Sequence, residues 1–382
     1  MPRGRFHAAV LAASATVFLG LAPAVAQARH DHGDHGQGRG QGQGHGHGNR
    51  GGPYRQTNLV SDVPGAAQLT DPSLVNAWGM SAGPTTPVWV SDNGTDSTTL
   101  YSGATNQTPV AKVPLTVSIP GGEPTGQVFN PTTGFVVASG LDMGPAAFIF
   151  ASAAGDITGW NPGVPMPATS TQAQPAVHTA DAVYKGLALA QSGGSTYLYA
   201  ADFHHGKIDV FDSKFMPATL SGDFTDPNVP AGFAPFNVQA IGPVLLVTYA
   251  KQDADAHDDV AGPGNGFVDA FTTDGHLIRR LISRGALNSP WGLALAPSGF
   301  GAFSHALLVG NFGDGAINAY SPFSGRFLGR LRDKNSPITI DGLWGLRFGN
   351  GTAGDPRTLL FTAGPDGEAH GLFGTIEAGG RH

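Results

Sequence analysis

Short apolar runs separated by glycine turns recur along most of the chain and share one hydrophobic and polar pattern. The hexapeptide Gly155-Asp-Ile-Thr-Gly-Trp160 returns as Gly206-Lys-Ile-Asp-Val-Phe211, Gly266-Phe-Val-Asp-Ala-Phe271 and Gly315-Ala-Ile-Asn-Ala-Tyr320. A glycine opens the turn, Ile157, Ile208, Val268 and Ile317 take one side of a period-2 pleat, and a small polar residue alternates to the other. A second apolar strand stands upstream of each turn, at Phe148 to Phe150, Tyr197 to Ala200, Val244 to Val247 and Ala306 to Val309. The repeating piece is therefore a strand, a turn and a strand.

A third element opens further upstream with an anchor dipeptide: Trp78-Gly79, Thr125-Gly126, Lys185-Gly186, Phe236-Asn237, Trp291-Gly292 and Trp344-Gly345. Anchors that recur about every 50 residues, with several strands each, have the period of propeller blades. Fourth strands follow at Leu277 to Ile282 and Phe327 to Leu331, whereas the last unit ends at Gly371 to Ile376 without one. Gln56 to Ser61 would supply it. The predicted fold is thus all-β, a six-bladed β-propeller whose ring is closed by the N-terminal strand completing the last blade, which removes the open sheet edges. A β-sandwich does not account for six similar units, nor a linear solenoid for a strand missing at one end and spare at the other.

Composition narrows the chemistry. With 57 Gly, 29 Pro and only 13% charged residues, a helical bundle is excluded. The absence of cysteine removes disulfides, thiolate metal sites and cysteine nucleophiles. A formal charge of −7, more negative once Arg3 and Arg5 leave with the leader described next, argues against a nucleic-acid partner.

Arg3 and Arg5 precede an apolar run from Ala8 to Leu21, followed by Ala24, Ala26 and Ala28, and this reads as a secretory signal peptide over residues 1–28. The run is shorter than the ~20 residues a bilayer requires and ends at Pro23, so no membrane anchor is expected after cleavage. Residues 29–53 form a His/Gly-rich tail, expected to be disordered. Its His30, His32, His35, His45 and His47 either bind Cu, Ni or Zn or belong to a solvated spacer. The propeller then spans 54–382, secreted to the periplasm or the extracellular space.

Candidate ligand groups lie at the ends of the strands, where a propeller presents its channel face. Asp92, Asn93, Asp202, His204 and Asn311 sit in turns of three blades. Their oxygens either meet around one divalent ion or bond their own backbone as Asx turns. Lys185, Asn237 and Asn288 stand beside the anchors, and Lys185 would hold an acidic ligand or pair with a channel carboxylate. The longest hairpin connection, Lys251 to Gly266, carries Asp253, Asp255, Asp258 and Asp259, which suit either Ca²⁺ or a solvated acidic loop without the EF-hand ligand series. Trp78, Trp291 and Trp344 share one repeat position, which favours core packing over ligand stacking. No nucleophile elbow, zinc-protease helix, phosphate loop or dinucleotide fingerprint is present.

The segments Gln56-Thr-Asn-Leu-Val-Ser-Asp62, Val88-Trp-Val-Ser-Asp-Asn-Gly94, Val183-Tyr-Lys-Gly-Leu-Ala188, Pro235-Phe-Asn-Val238, Val247-Thr-Tyr-Ala-Lys-Gln-Asp253, Asp258-Asp-Val-Ala-Gly-Pro-Gly-Asn-Gly-Phe267 and Leu287-Asn-Ser-Pro-Trp-Gly-Leu-Ala294 carry a family likeness. From about Tyr54 to Ile376 the chain resembles exported bacterial six-bladed propellers of unknown function, with NHL-like repeats, some of which end in a PEP-CTERM sorting signal. The chain stops at Arg381-His382 with no hydrophobic tail, which implies release rather than anchoring. The resemblance implies a fold and no activity.

Two functions follow as expectations. One is a binding or scaffold module at the cell surface or outside the cell, with a protein, glycan or small molecule as partner. The alternative is a hydrolase or lactonase using a divalent metal at the central channel, by analogy to gluconolactonase-type propellers. The second requires three or more of Asp92, Asp202, Lys185, Asn237 and Asn311 to close on one point.

Overall fold

A computed structural model describes residues 53–379, so the expectations for the leader and nearly all of the histidine-rich stretch lie outside the described residues. The innermost strands of the six blades are Ala77–Ser81, Pro124–Phe129, Tyr184–Ser192, Phe233–Ile241, Pro290–Leu295 and Leu343–Phe348. Each is paired with a second strand that ends where the inner one begins, as in Ala77 against Asp92, Tyr184 against Asp202 and Pro290 against Asn311. The hexapeptides supply the third strands Asp156–Trp160, Lys207–Phe211, Phe267–Thr272 and Ile317–Tyr320. Blade 3 is three-stranded, and blade 2 carries an inserted hairpin, Val136–Ser139 with Asp142–Pro145.

The ring closes as the repeat count requires. Tyr54–Ser61 runs antiparallel to Leu372–Ala378, from Tyr54 opposite Ala378 to Ser61 opposite Leu372, and so completes blade 6. Closure satisfies backbone groups that would otherwise present an unpaired edge.

The polar residue of the hexapeptide takes the opposite side of the pleat from the branched one, and Thr158, Asp269 and Asn318 are as buried there as Ile157, Val268 and Ile317. Blades pack on both faces, so neither side of a central strand reaches water and each polar group must find a partner inside. Arg280 donates to Asp269 (3.1 Å), and Asn318 Nδ2 donates to the Ala286 carbonyl (3.0 Å).

Every anchor is a bulge. The pairing register slips at or beside Trp78-Gly79, Thr125-Gly126, Lys185-Gly186, Phe236-Asn237, Trp291-Gly292 and Trp344-Gly345, which bends the inner strand and re-aims its side chains. The glycines let neighbouring blades touch backbone to backbone. A Cβ on Gly126 would lie 2.6 Å from Leu187 N, and one on Gly292 would lie 2.5 Å from Trp344 O. In blade 4 the position is Asn237, whose Nδ2 donates to the Trp291 carbonyl across the blade boundary (2.7 Å). The anchors thus form a constriction around the channel, with the strand beginnings above it and the later inner-strand residues below.

Candidate functional site

Above the constriction the channel is filled by aromatic rings. Trp78 and Trp344 stack with centroids 3.7 Å apart, Phe312 stacks on the other side of Trp344 at 4.0 Å, and Trp291, Phe236 and Phe203 pack around them. Trp344 is only 1% exposed. Its indole N–H donates to Asn76 Oδ1 (3.1 Å), and that of Trp291 donates to the Lys185 carbonyl (3.2 Å). The repeated tryptophans are core, as their shared repeat position predicts.

Asp92 and Asp202 bond within their own blades, whereas Asn93 Nδ2 donates to the Pro124 carbonyl of blade 2 (3.4 Å). Asp92 is fully buried and accepts from Thr99 Oγ1 (3.2 Å) and Ser97 Oγ (3.5 Å), and burial pushes its carboxyl well above the ordinary range. Asp202 accepts from the Val183 N–H (3.3 Å) and the His205 N–H (3.2 Å), and lies 2.7 Å from His205 Nδ1. Asn311 Nδ2 donates to the Ala286 carbonyl (2.8 Å) and Asp314 (2.9 Å). Asn237 spans to Trp291, Asn288 accepts from the Gly262 N–H (2.6 Å), and His204 is half-buried beside His205. These side chains fasten turns to the segments entering the inner strands, through a local bond from the His205 N–H to Asp202 and through distant ones such as Asn311 to the Ala286 carbonyl. Asp92, Asp202, Lys185, Asn237 and Asn311 have separate partners and do not close on one point.

Charge gathers instead around Lys185. Its side chain is 2% exposed, and its Nζ lies 3.1 Å from Asp258 and 5.1 Å from the centre of the Trp78 ring. Asp258 comes from the long loop of blade 4 and is 67% exposed. Its partial burial would raise the carboxyl, but Lys185 and His257 outweigh that and hold it low. Asp259, next along, turns inward, and burial pushes it up to about 6 against the opposing pull of Ser289 and Lys185. Glu368 is also raised by burial, although Asn76 Nδ2 donates to it (2.6 Å). Asn93 Oδ1 accepts from the same Asn76 amide (3.1 Å).

The acidic loop, which its sequence leaves between a Ca²⁺ site and a solvated acidic loop, distributes its carboxylates among separate partners. Asp253 caps its own loop by accepting from the His257 N–H (2.9 Å), and Asp255 is exposed. Asp258 faces Lys185, and Asp259 faces Ser289. The four carboxylates do not gather, because the cation beneath this loop is the lysine ammonium. Among the described residues, no group of three or more His, Cys, Asp or Glu side chains is arranged to hold a metal ion.

Asn76 and Glu368 escaped the sequence analysis. Glu368 lies between strands Leu359–Ala363 and Leu372–Ala378, a second long connection that the repeat comparison did not single out. Asn76 has φ +47° immediately before the first inner strand, and Glu123, Gly232, Ser289 and Gly342 take the same left-handed turn before theirs. Their residue types differ, so no shared letter reveals this repeat.

Below the constriction the channel opens into a cavity of about 540 Å³, lined by the later inner-strand residues of all six blades. That volume suits a small organic ligand. Apolar side chains such as Val128, Phe129, Leu189, Leu295 and Phe348 share the wall with polar groups, and no Asp, Glu, His or Lys is among its described lining residues. Of its polar side chains, Ser81 and Gln127 bond each other (2.8 Å) and Asn237 is engaged with Trp291. Gln239 and Arg347 remain. Arg347 Nε reaches only the neighbouring Phe348 carbonyl at 3.4 Å. Burial alone depresses its guanidinium to about 10, and it stays charged at neutral pH. The titratable cluster and the cavity thus lie on opposite sides of the aromatic plug.

No protein-family model matches the chain. The chain is 34% identical over 328 residues to "Uncharacterized protein R648" of Acanthamoeba polyphaga mimivirus, covering 83% of this chain and 78% of that protein. It is 33% identical over 332 residues to "Uncharacterized protein L690" of the same virus, covering 83% and 84%. Among solved structures, a streptogramin B lyase aligns with TM-score 0.45 and 11% identity over 85% of this chain and 97% of that one. A glucose dehydrogenase aligns with TM-score 0.49 and 10% identity over 86% and 100%.

Proposed function

For this chain, which belongs to the same family as the two uncharacterised mimivirus proteins, we propose the role of an exported binding module that receives a small molecule in its central channel. The observation that carries this reading is the cavity of about 540 Å³, walled by apolar side chains, amides and the Arg347 guanidinium, with no carboxylate or imidazole among its described lining residues. Such a wall can enclose and orient a ligand but supplies no general acid or base. The groups able to move protons lie above the plug, where Lys185, Asp258 and Glu368 are already engaged with protein partners. Export rests on the leader-like sequence of residues 1–28.

A cavity-filling variant tests the reading. Gln239→Trp places an indole in the channel, where the native amide has no protein partner. Saturation-transfer NMR of the full chain with a library of small aromatic fragments is expected to find binders that this variant loses at least tenfold. Binding unchanged in Gln239→Trp, or detected only through residues above the plug, would overturn the channel as the site.

A further inference from the structure

The cavity wall has one formal charge and nothing to neutralise it. Arg347 stands in the inner strand of blade 6, opposite Leu360 in the pairing, and no Asp or Glu lines the space its guanidinium borders. Elsewhere in the inner channel the buried cation is covered: Lys185 has Asp258 at 3.1 Å, with Asp259 and Glu368 contributing to the same field. Removing a guanidinium from water without a partner is costly, and the cost falls when an anion with matching oxygens arrives. A guanidinium offers a planar fork of donors suited to carboxylate or phosphate oxygens.

The rest of the wall states what should accompany that anion. Phe129, Leu189, Leu295 and Phe348 present apolar surface, and Gln239, on blade 4, offers an amide with no partner among the described residues. We propose that the cavity is the binding site of a small amphipathic anion, with its carboxylate or phosphate oxygens on Arg347, its apolar body against the leucine and phenylalanine walls, and a polar substituent within reach of Gln239. This inference rests on the channel being a ligand site, and adds the ligand's chemical class. The lowered pKa of Arg347 accords with it, since the same burial that depresses the guanidinium strengthens any anion contact made there.

Three probes of similar size separate the possibilities: benzoate, phenyl phosphate and the neutral benzamide, each titrated by saturation-transfer NMR and calorimetry into the full chain. Benzoate or phenyl phosphate is expected to bind at least tenfold more tightly than benzamide, and the tighter of the two assigns the oxyanion. Arg347→Gln should weaken the anions by about tenfold to a hundredfold, the range for a charge-assisted hydrogen bond, and leave benzamide unchanged. Arg347→Lys should restore part of the loss, because charge returns without the fork. Equal affinity for all three probes, or anion binding indifferent to Arg347→Gln, would overturn the anion assignment while leaving the channel as a ligand site. If none of the probes binds at millimolar concentration and the fragment library also fails, the channel reading falls and the anion assignment with it. The wild-type comparison of benzoate with benzamide holds even if a variant fails to fold.

Discussion

The two sections of the central channel hold similar building blocks and use them differently. Above the constriction a buried lysine, three carboxylates, two asparagines and a stack of indoles gather across blades 1, 3, 4 and 6, with Lys185 paired to Asp258 and Asn76 joining Glu368 to Trp344. Below it the wall mixes apolar side chains with amides and holds one arginine with no carboxylate among the described lining residues. Charges that compensate each other fix a structure, whereas a charge without a partner lowers stability and is retained where something external pairs with it. The residue-rich end of the channel is thus the lock of the fold, and the plainer end is the proposed receptacle.

The largest way to break this contrast is through the plug. Trp344→Ala removes a side chain that is 1% exposed and stacked on both faces. It is expected to cost about 3–5 kcal/mol in urea unfolding, the range for deleting a buried Trp. A loss under ~1 kcal/mol would show that the stack is a surface feature and not part of the core.

A pH series sharpens the comparison within the upper cluster. Asp259 titrates at about 6 in the folded protein and near 3.9 when unfolded, so the folded state holds its proton more tightly. Its contribution is fully present below the unfolded value and is lost as pH rises through about 6. The amide in Asp259→Asn does not titrate. That variant should therefore gain on the wild type by about 2–3 kcal/mol above pH 7 and converge with it near pH 4. A gap independent of pH would remove Asp259 from the buried cluster.

The smallest expected effect is the most diagnostic for the lower cavity. Arg347→Met keeps the length of the side chain and deletes a desolvated charge that has no carboxylate partner. Thermal unfolding should rise slightly, by an amount equivalent to about 1 kcal/mol after allowance for the solvent the cavity admits. A fall of several degrees would mean that the guanidinium holds the blades together.

The sequence reached the propeller because six anchors and four hexapeptides impose the same bend and the same buried branched residue in successive blades. It also placed Lys185 and Asn237 beside the channel, since both belong to anchors. It left Asp92, Asp202 and Asn311 open between ligand and turn, because the same oxygens serve either use and only their partners decide. Asn76 and Glu368 bond each other across the closure between blades 1 and 6 and share the field of Lys185 from blade 3, which no local spacing encodes. Arg347 was within reach. The second residues after the anchor pairs are Ser81, Val128, Ala188, Gln239, Ala294 and Arg347, all on the cavity wall. In a period-2 strand they share the side of the close-approach glycines, so a comparison of that column, rather than of the anchors alone, exposes the single charge.

The most direct measurement places the two sections side by side: benzoate affinity and melting temperature for the wild type, Lys185→Met and Arg347→Met, determined on the same preparations. The account predicts that Lys185→Met, which leaves Asp259 and Glu368 without their cation, lowers the melting temperature and keeps benzoate affinity within about twofold, whereas Arg347→Met keeps or raises the melting temperature and loses affinity at least tenfold. The reverse pattern, with affinity following Lys185 and stability following Arg347, would contradict it.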